Sequence, residues 1–313
     1  MKRIIALALA LMMLCFALVS CGGKTAYTFA SGGTGGTYYG VATALAGVYD
    51  DVTDLRINVD VTGASKANIQ LVQKGQADFA IVQNDVMQYA YTGTDLFAAD
   101  GKVTNFRTVA AVYAEVCQII GDPAITSVAD LKGKVVSIGA AGSGVEFNAL
   151  QILNAYGLTK DDITVVNADF NDSVSKYKDG QIDAFFITAG APTTAVSDLA
   201  ANRELNLINI PEDYANKLIE MYPYYSRYEI PAGTYGSKQT ESAWTVAVKA
   251  TIICSDSLSE DVVYQFTKAL FEDKDALVLA HAKFENVDLD YAQNGIGDTP
   301  FHAGAAKYYS EVK

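Results

Sequence analysis

Two stretches of this chain echo each other. Gly75 to Val82 reads GQADFAIV and Gly180 to Ile187 reads GQIDAFFI, with Gly, Gln and Asp in register. In each, the glycine suits the position that ends a helix, and the apolar run after the aspartate suits a buried strand. A glycine-rich loop lies upstream of both: Ser31 to Gly40 reads SGGTGGTYYG, and Gly142-Ser143-Gly144 opens the second. Two unrelated helix-to-strand turns would give the short echo alone, but the matched loops favour a repeated unit. A chain carrying that unit twice is constrained to two α/β lobes of similar plan. The residues between agree. Arg56 to Val61 alternates apolar and polar side chains, Thr62-Gly63-Ala64-Ser65 opens a helix running to Lys74, and Phe79 to Val82 is a short buried-type strand. Alternation at this pace predicts a parallel sheet flanked by helices.

The connections define how the lobes join. Phe106 to Ile120 (FRTVAAVYAEVCQII) and Ser242 to Cys254 (SAWTVAVKATIIC) are long β-favouring stretches on either side of the second unit. As two crossings they form a two-strand hinge, with one lobe assembled from both ends of the chain. Residues 21–115 with 249–313 are then lobe I and residues 116–248 lobe II. Asp256 to Phe271, with Leu258, Val262, Val263, Phe266 and Leu270 on one face, is an amphipathic helix returning to lobe I.

The first twenty residues read as an address. Lys2-Arg3 precedes an apolar run from Ile4 to Val19, short of the roughly 20 residues of a membrane span but suited to a signal peptide. Leu18-Val19-Ser20-Cys21 then has the pattern of a bacterial lipoprotein cleavage site. Cys21 is the expected lipidated N-terminus, so residues 1–20 are a leader and the rest is an extracytoplasmic domain held to the membrane by acyl chains. An ordinary signal peptide cut nearby is the alternative. With 36 acidic residues against 23 basic, two of them in the leader, the chain is a poor partner for nucleic acid. Cys117 and Cys254 lack a CxxC partner or a nearby histidine; buried free thiols are expected, with a disulfide between them as the alternative.

The glycine loops fail the tests for familiar chemistry. Gly33-Thr34-Gly35 begins a dinucleotide fingerprint whose sixth position is Tyr38, and Gly36 is followed by Thr37-Tyr38 where a P-loop needs Lys and Ser/Thr. Ser143, flanked directly by glycines, lacks nucleophile-elbow spacing. The two histidines, His281 and His302, are far in sequence from any candidate nucleophile and suit packing or turns. No catalytic residue, metal or cofactor is expected, and the chain does not read as an enzyme. Two helix N-termini remain, one per lobe. Their free N–H groups, with Thr34, Thr37, Ser65 and Ser143, would grip a small carboxylate across a cleft, and glycine lets the backbone approach it.

Seven stretches in order, SGGTGGTYYG, VTGASKANIQLVQKGQADFAIVQNDV, DLKGKVVSIGAAGSG, DGQIDAFFITAGAP, YPYYSRYEIPAGTYG, VYQFTKALF and FHAGAAKYYSE, resemble the TAXI group of solute receptors, the extracytoplasmic components of one class of TRAP transporters. The resemblance implies an α/β, periplasmic-binding-protein-like type II fold with a hinged ligand cleft. It implies a monomer that delivers glutamate, 2-oxoglutarate or a related small carboxylate to an ion-gradient-driven permease. By position it places the ligand against Thr34, Gly35, Gly36, Thr37 and Tyr38, against Gly63 and Ser65, and against Gln83 and Asn84. From lobe II it adds Ser143, Gly144, Thr188, Ala189 and Gly190. Tyr113 and Glu115, on the outgoing crossing strand, are further candidates for lining the cleft, with packing as the alternative. Ala114 stands where proline is common in that group, and Cys117 replaces an aliphatic residue. An ABC-type receptor for another small solute is the alternative within the same fold. Tyr222-Pro223-Tyr224-Tyr225 reads as a surface aromatic turn.

Overall fold

The structure is a computed structural model and describes residues 24–312. The expected leader and Cys21 lie outside the described residues. In chain order the elements are β1 (Thr25–Ala30), α1 (Thr37–Val52), β2 (Leu55–Asp60), α2 (Ser65–Gln73), β3 (Phe79–Gln83), α3 (Asn84–Thr92) and the long β4 (Phe106–Gly121). Next come β5 (Val135–Ser137), α4 (Gly144–Ala155), β6 (Thr164–Val166), α5 (Phe170–Lys178), β7 (Ala184–Ala189), α6 (Thr194–Asn202), α7 (Glu212–Met221) and β8 (Ser226–Ile230). The chain ends with β9 (Ala243–Ser255), α8 (Glu260–Glu272), α9 (Lys274–Ala280), α10 (Leu289–Gln293) and α11 (Ala303–Glu311).

The strands run in the order β2-β1-β3-β9-β4-β7-β5-β6, with β8 also on β9. Pairing is parallel among β1, β2 and β3 and again among β5, β6 and β7. The expected parallel sheet is therefore mixed. The chain leaves lobe I on β4 and returns on β9, so these two strands must run antiparallel, and they pair with each other from Phe106↔Ser255 to Val116↔Ala247. At its far end β4 goes on to pair β7 in lobe II, while the other edge of β9 pairs β3 in lobe I.

The repeated Gly-Gln-x-Asp does the same local work in both lobes. Gly75 and Gly180 take φ of 66° and 68°, the left-handed conformation that stops a helix cheaply only at glycine. The following Gln76 and Gln181 N–H groups close back onto the Leu71 and Lys176 carbonyls at 2.9 Å. Asp78 Oδ2 then accepts from the Thr28 N–H at 2.8 Å, and Asp183 Oδ2 from the Val135 N–H at 2.7 Å. Each aspartate thus clasps the backbone of the neighbouring strand, Thr28 within β1 and Val135 at the start of β5.

Each lobe buries its own core. In lobe I, Leu45 of α1, Phe79 of β3 and Phe266 of α8 are fully buried, and the Phe79 and Phe266 rings stack with centroids 4.3 Å apart. The C-terminal helix α8 therefore completes a core begun at the N-terminus, each buried phenylalanine contributing about 1.5–3 kcal/mol. Lobe II gathers Ile152, Leu153, Phe186 and Val248. Cys117 and Cys254 are buried free thiols. Arg107 pairs with Asp256 at 3.6 Å and His302 caps α11, both holding lobe I together.

Candidate functional site

A cavity of about 320 Å³ lies between the lobes. At roughly 30 Å³ per water it would hold about ten waters, room for a solute of about that many heavy atoms. Four helices begin at its wall: α1 at Gly35-Gly36-Thr37-Tyr38, α2 at Gly63-Ala64-Ser65, α4 at Ser143-Gly144-Val145 and α5 at Asp169-Phe170-Asn171. The ends of β3 (Gln83) and β7 (Thr188, Ala189) and the hinge residue Glu115 complete it. This follows from the βα repeat, because every parallel strand ends where the next helix starts. Among the described residues, no Lys, Arg or His lines the cavity. Its positive potential comes from helix N-termini, each equivalent to about half a charge.

The four ends are not alike. α1 and α2 have no side-chain cap, so their first N–H groups are open toward the cavity. Ser143 accepts from the Glu146 N–H at 3.1 Å, and Asp169 from the Asp172 N–H at 2.9 Å. The lobe II ends are thus already partly satisfied, and lobe I offers the stronger anion grip. Ala64 caps α2 at φ 66°, ψ −150°, a conformation L-residues avoid, and so stores backbone strain at the cavity wall.

Of the residues the sequence puts forward, Gly35, Gly36, Thr37, Tyr38, Gly63, Ser65, Gln83, Ser143, Gly144, Thr188 and Ala189 come together around this cavity. Four do not. Thr34 is exposed and does not line the cavity. Asn84 is turned away, its Nδ2 donating to the Gly295 carbonyl and its Oδ1 accepting from the Lys249 N–H, both at 2.9 Å. Tyr113 is buried in the lobe I core. Gly190 gives its carbonyl to the Thr37 hydroxyl at 3.1 Å, a contact between lobes.

Sequence reasoning missed Phe170 and Asn171 as wall residues, and of the crossing-strand pair Tyr113 and Glu115 it is Glu115 that lines the cavity. Glu115 is only 2% exposed and accepts a 2.5 Å hydrogen bond from the Tyr38 hydroxyl. Burial raises its pKa well above the carboxylate range; the Tyr38 hydrogen bond pulls it down in part, and nearby Asp85 pushes it up further. Gln83 Oε1 is buried with no hydrogen-bond partner.

The lobes are closed on each other. Besides Thr37 with Gly190, the Ala195 N–H donates to the Gly35 carbonyl at 3.2 Å, and Lys283 Nζ donates to the Ala191 carbonyl. On the opposite side Asn148 Nδ2 donates to Asp85 Oδ2 and Gln151 Nε2 to the Tyr89 hydroxyl, both at 3.0 Å. Burial raises the Asp85 pKa to about 6. The turn at Tyr222-Pro223-Tyr224-Tyr225 leaves Pro223 exposed but packs its tyrosines into this seam: Tyr225 is buried and donates to Gln151 Oε1 at 2.6 Å, and Tyr224 meets Tyr89 edge-on.

Two α/β lobes, two crossing strands and a cavity walled by helix N-termini define the fold of periplasmic solute-binding proteins. The chain belongs to the NMT1-like family, which it matches over residues 29–312. Among solved structures it is similar to the periplasmic aliphatic sulphonate binding protein SsuA from Escherichia coli, at 16% identity over 91% of this chain and 82% of that one, TM-score 0.50. It is also similar to a putative L-cystine ABC transporter protein from Listeria monocytogenes, at 14% identity over 83% and 95% of the two chains, TM-score 0.53. A binding protein component of an ABC phosphonate transporter from Pseudomonas aeruginosa shares 10% identity over 83% and 79%, TM-score 0.52. At these identities the likeness concerns the fold.

Proposed function

We propose that this protein is an extracytoplasmic receptor that closes on a small acidic solute and hands it to a membrane permease. The observation that carries the reading is the closed cavity onto which four helix N-termini converge without any cationic side chain. Such a wall suits a compact anion, since N–H groups and hydroxyls grip it from both lobes. Ligand contacts that exist only when the lobes meet stabilise the closed state, so binding and closure are one equilibrium. The proposed grip uses Gly35 to Tyr38, Gly63, Ser65 and Gln83 from lobe I, and Ser143, Gly144, Thr188 and Ala189 from lobe II. Lobe boundaries fall at 115/116 and 248/249, where the chain crosses the hinge. A lipid on Cys21 holds the protein at the membrane; no described helix is long and apolar enough to cross one.

For the permease, two of the neighbours named above, those from Listeria monocytogenes and Pseudomonas aeruginosa, are described as parts of ABC transporters, which favours the ABC reading. The TRAP reading rests on the order of sequence motifs alone. Those neighbours bind or transport solutes, which supports a receptor over an enzyme. Purified protein is titrated with small carboxylates, sulfonates and phosphonates while its melting temperature is followed. At a hundred times Kd a true ligand stabilises by about 2.7 kcal/mol, a shift of several degrees. No shift with any of these acids would sink the reading. Uptake driven by ATP, or by an ion gradient without ATP, then distinguishes the two permease classes.

A further inference from the structure

Glu115 is an unexpected residue in a cavity built for anions. It sits on β4 at the crossing between lobes, is almost wholly buried, and no Lys, Arg or His among the described residues lines the space it faces. The Tyr38 hydroxyl donates to it, and the Gln83 amide lies against it. Gln83 Oε1 remains a buried acceptor with no donor. One closed cavity therefore offers both the open N–H groups of α1 and α2 and two buried acceptors. A buried acceptor left unmatched costs about 1–3 kcal/mol, so the occupant must supply donors as well as an acid group.

We infer that Glu115, with Gln83, reads an ammonium group on the ligand, so that the solute is an amino acid or another aminoalkyl acid and not a simple acid. An ammonium offers three donors, enough for Glu115 and Gln83 Oε1 together. It also neutralises the one acidic side chain buried in the wall. A dicarboxylate offers no donor to Gln83 and would meet Glu115 as a like charge unless that carboxyl keeps its proton. This inference rests on the receptor reading and narrows its substrate class.

The consequence is a proton balance. The groups acting on or through Glu115 are Tyr38 from α1, Asp85 from α3, Tyr113 and Cys117 from its own strand, and Tyr291 from α10. None is cationic, so the empty closed cavity favours the protonated carboxyl. An ammonium needs the ionised form, so binding expels a proton. A simple acid binding through the protonated carboxyl would retain or take up one. Asp85 also responds to closure, but equally for two ligands of the same shape.

The test uses matched pairs, L-glutamate against 2-oxoglutarate and taurine against isethionate, by calorimetry in two buffers of different ionisation enthalpy. The amino member of a binding pair is expected to be about 10- to 100-fold tighter, the worth of a charge-assisted hydrogen bond, and to release more protons. E115Q should reduce that ratio to within about threefold. If E115Q does not fold, the proton count on the unaltered protein decides alone. Equal or tighter binding of the member without nitrogen, or proton uptake with the amino member, overturns the role of Glu115 and leaves the receptor reading standing. Binding by neither member of either pair, but by another small acid without an amine, also overturns it. No binding by any small acid overturns the receptor reading itself.

Discussion

Gly144 belongs to lobe II and Gln83 to lobe I, and a methyl group at Gly144 would sit 2.0 Å from Gln83 Oε1 and 2.6 Å from its Cδ. Both distances are far inside contact. The clash exists only while the lobes are together, because opening the cleft carries the two residues apart. Gly144→Ala therefore acts on the closing equilibrium and not on the folding of either lobe. Gln83 is 2% exposed, so its amide can yield only by disturbing packed neighbours. Forcing an extra methyl into packed surroundings costs about 1–3 kcal/mol, which weakens ligand affinity about 5- to 150-fold. In the ligand-free protein the substitution is neutral or mildly favourable, since Gly144 opens helix α4 and alanine is the better helix former. Calorimetry gives the affinity and a denaturant titration without ligand gives the stability. Gly35→Ala, whose Cβ would lie 2.3 Å from Asn171 Oδ1, repeats the experiment on the other rim. Gly47→Ala, in mid-helix with open space around it, is the control that should leave affinity alone. If both rim variants bind as tightly as the parent, the closed seam described here is not the ligand-bound state.

Three further outcomes are expected. Ala64→Gly relieves about 1–3 kcal/mol of backbone strain against about 0.5–1 kcal/mol of added chain entropy, so the melting temperature should rise by a few degrees; a fall would show that Ala64 is not strained. Thr37→Val removes the hydroxyl that donates to the Gly190 carbonyl across the cleft, weakening ligand binding by about 1 kcal/mol, near fivefold, with little change in ligand-free stability. Asp85 holds its proton more tightly folded, with a pKa of about 6, than unfolded, near 3.8. Its contribution is fully present below the lower value and is lost as pH rises through the upper one, by about 3 kcal/mol at most. Asp85→Asn should therefore gain on the parent between pH 4 and pH 6.5 in denaturation series, and parallel curves would refute the assignment.

Much of the architecture was readable from residues because it follows from local rules. The crossings, read as Phe106 to Ile120 and Ser242 to Cys254, fold as Phe106–Gly121 and Ala243–Ser255, since long runs of β-branched and aromatic residues admit little else. The Gly-Gln-x-Asp repeat was visible as a helix stop, while the clasp made by Asp78 and Asp183 needed strands that only the folded sheet brings together. Around the cavity, glycine marked three helix starts. The fourth, α5, begins behind Asp169 without a glycine, so Phe170 and Asn171 carried no signal. Tyr113 and Glu115 could not be told apart, because β4 is buried on both faces and such a strand has no alternation to say which side chain meets the cleft. Thr34 and Asn84 misled in the opposite sense: each adjoins a wall residue, yet one step along a loop or into a helix turns the side chain elsewhere.

The position of β9 has a consequence for how the polypeptide is made. It lies between β3 and β4, yet it is synthesised long after both. A nascent chain that has passed residue 230 can already join β4, β5, β6 and β7, while β3 still presents a bare edge and Phe79 waits for its cover from Phe266. Lobe I thus completes its sheet only after β9 is made, and a polypeptide truncated before Ala243 would show proteases the open edge of a hydrophobic strand however well its inserted half had formed.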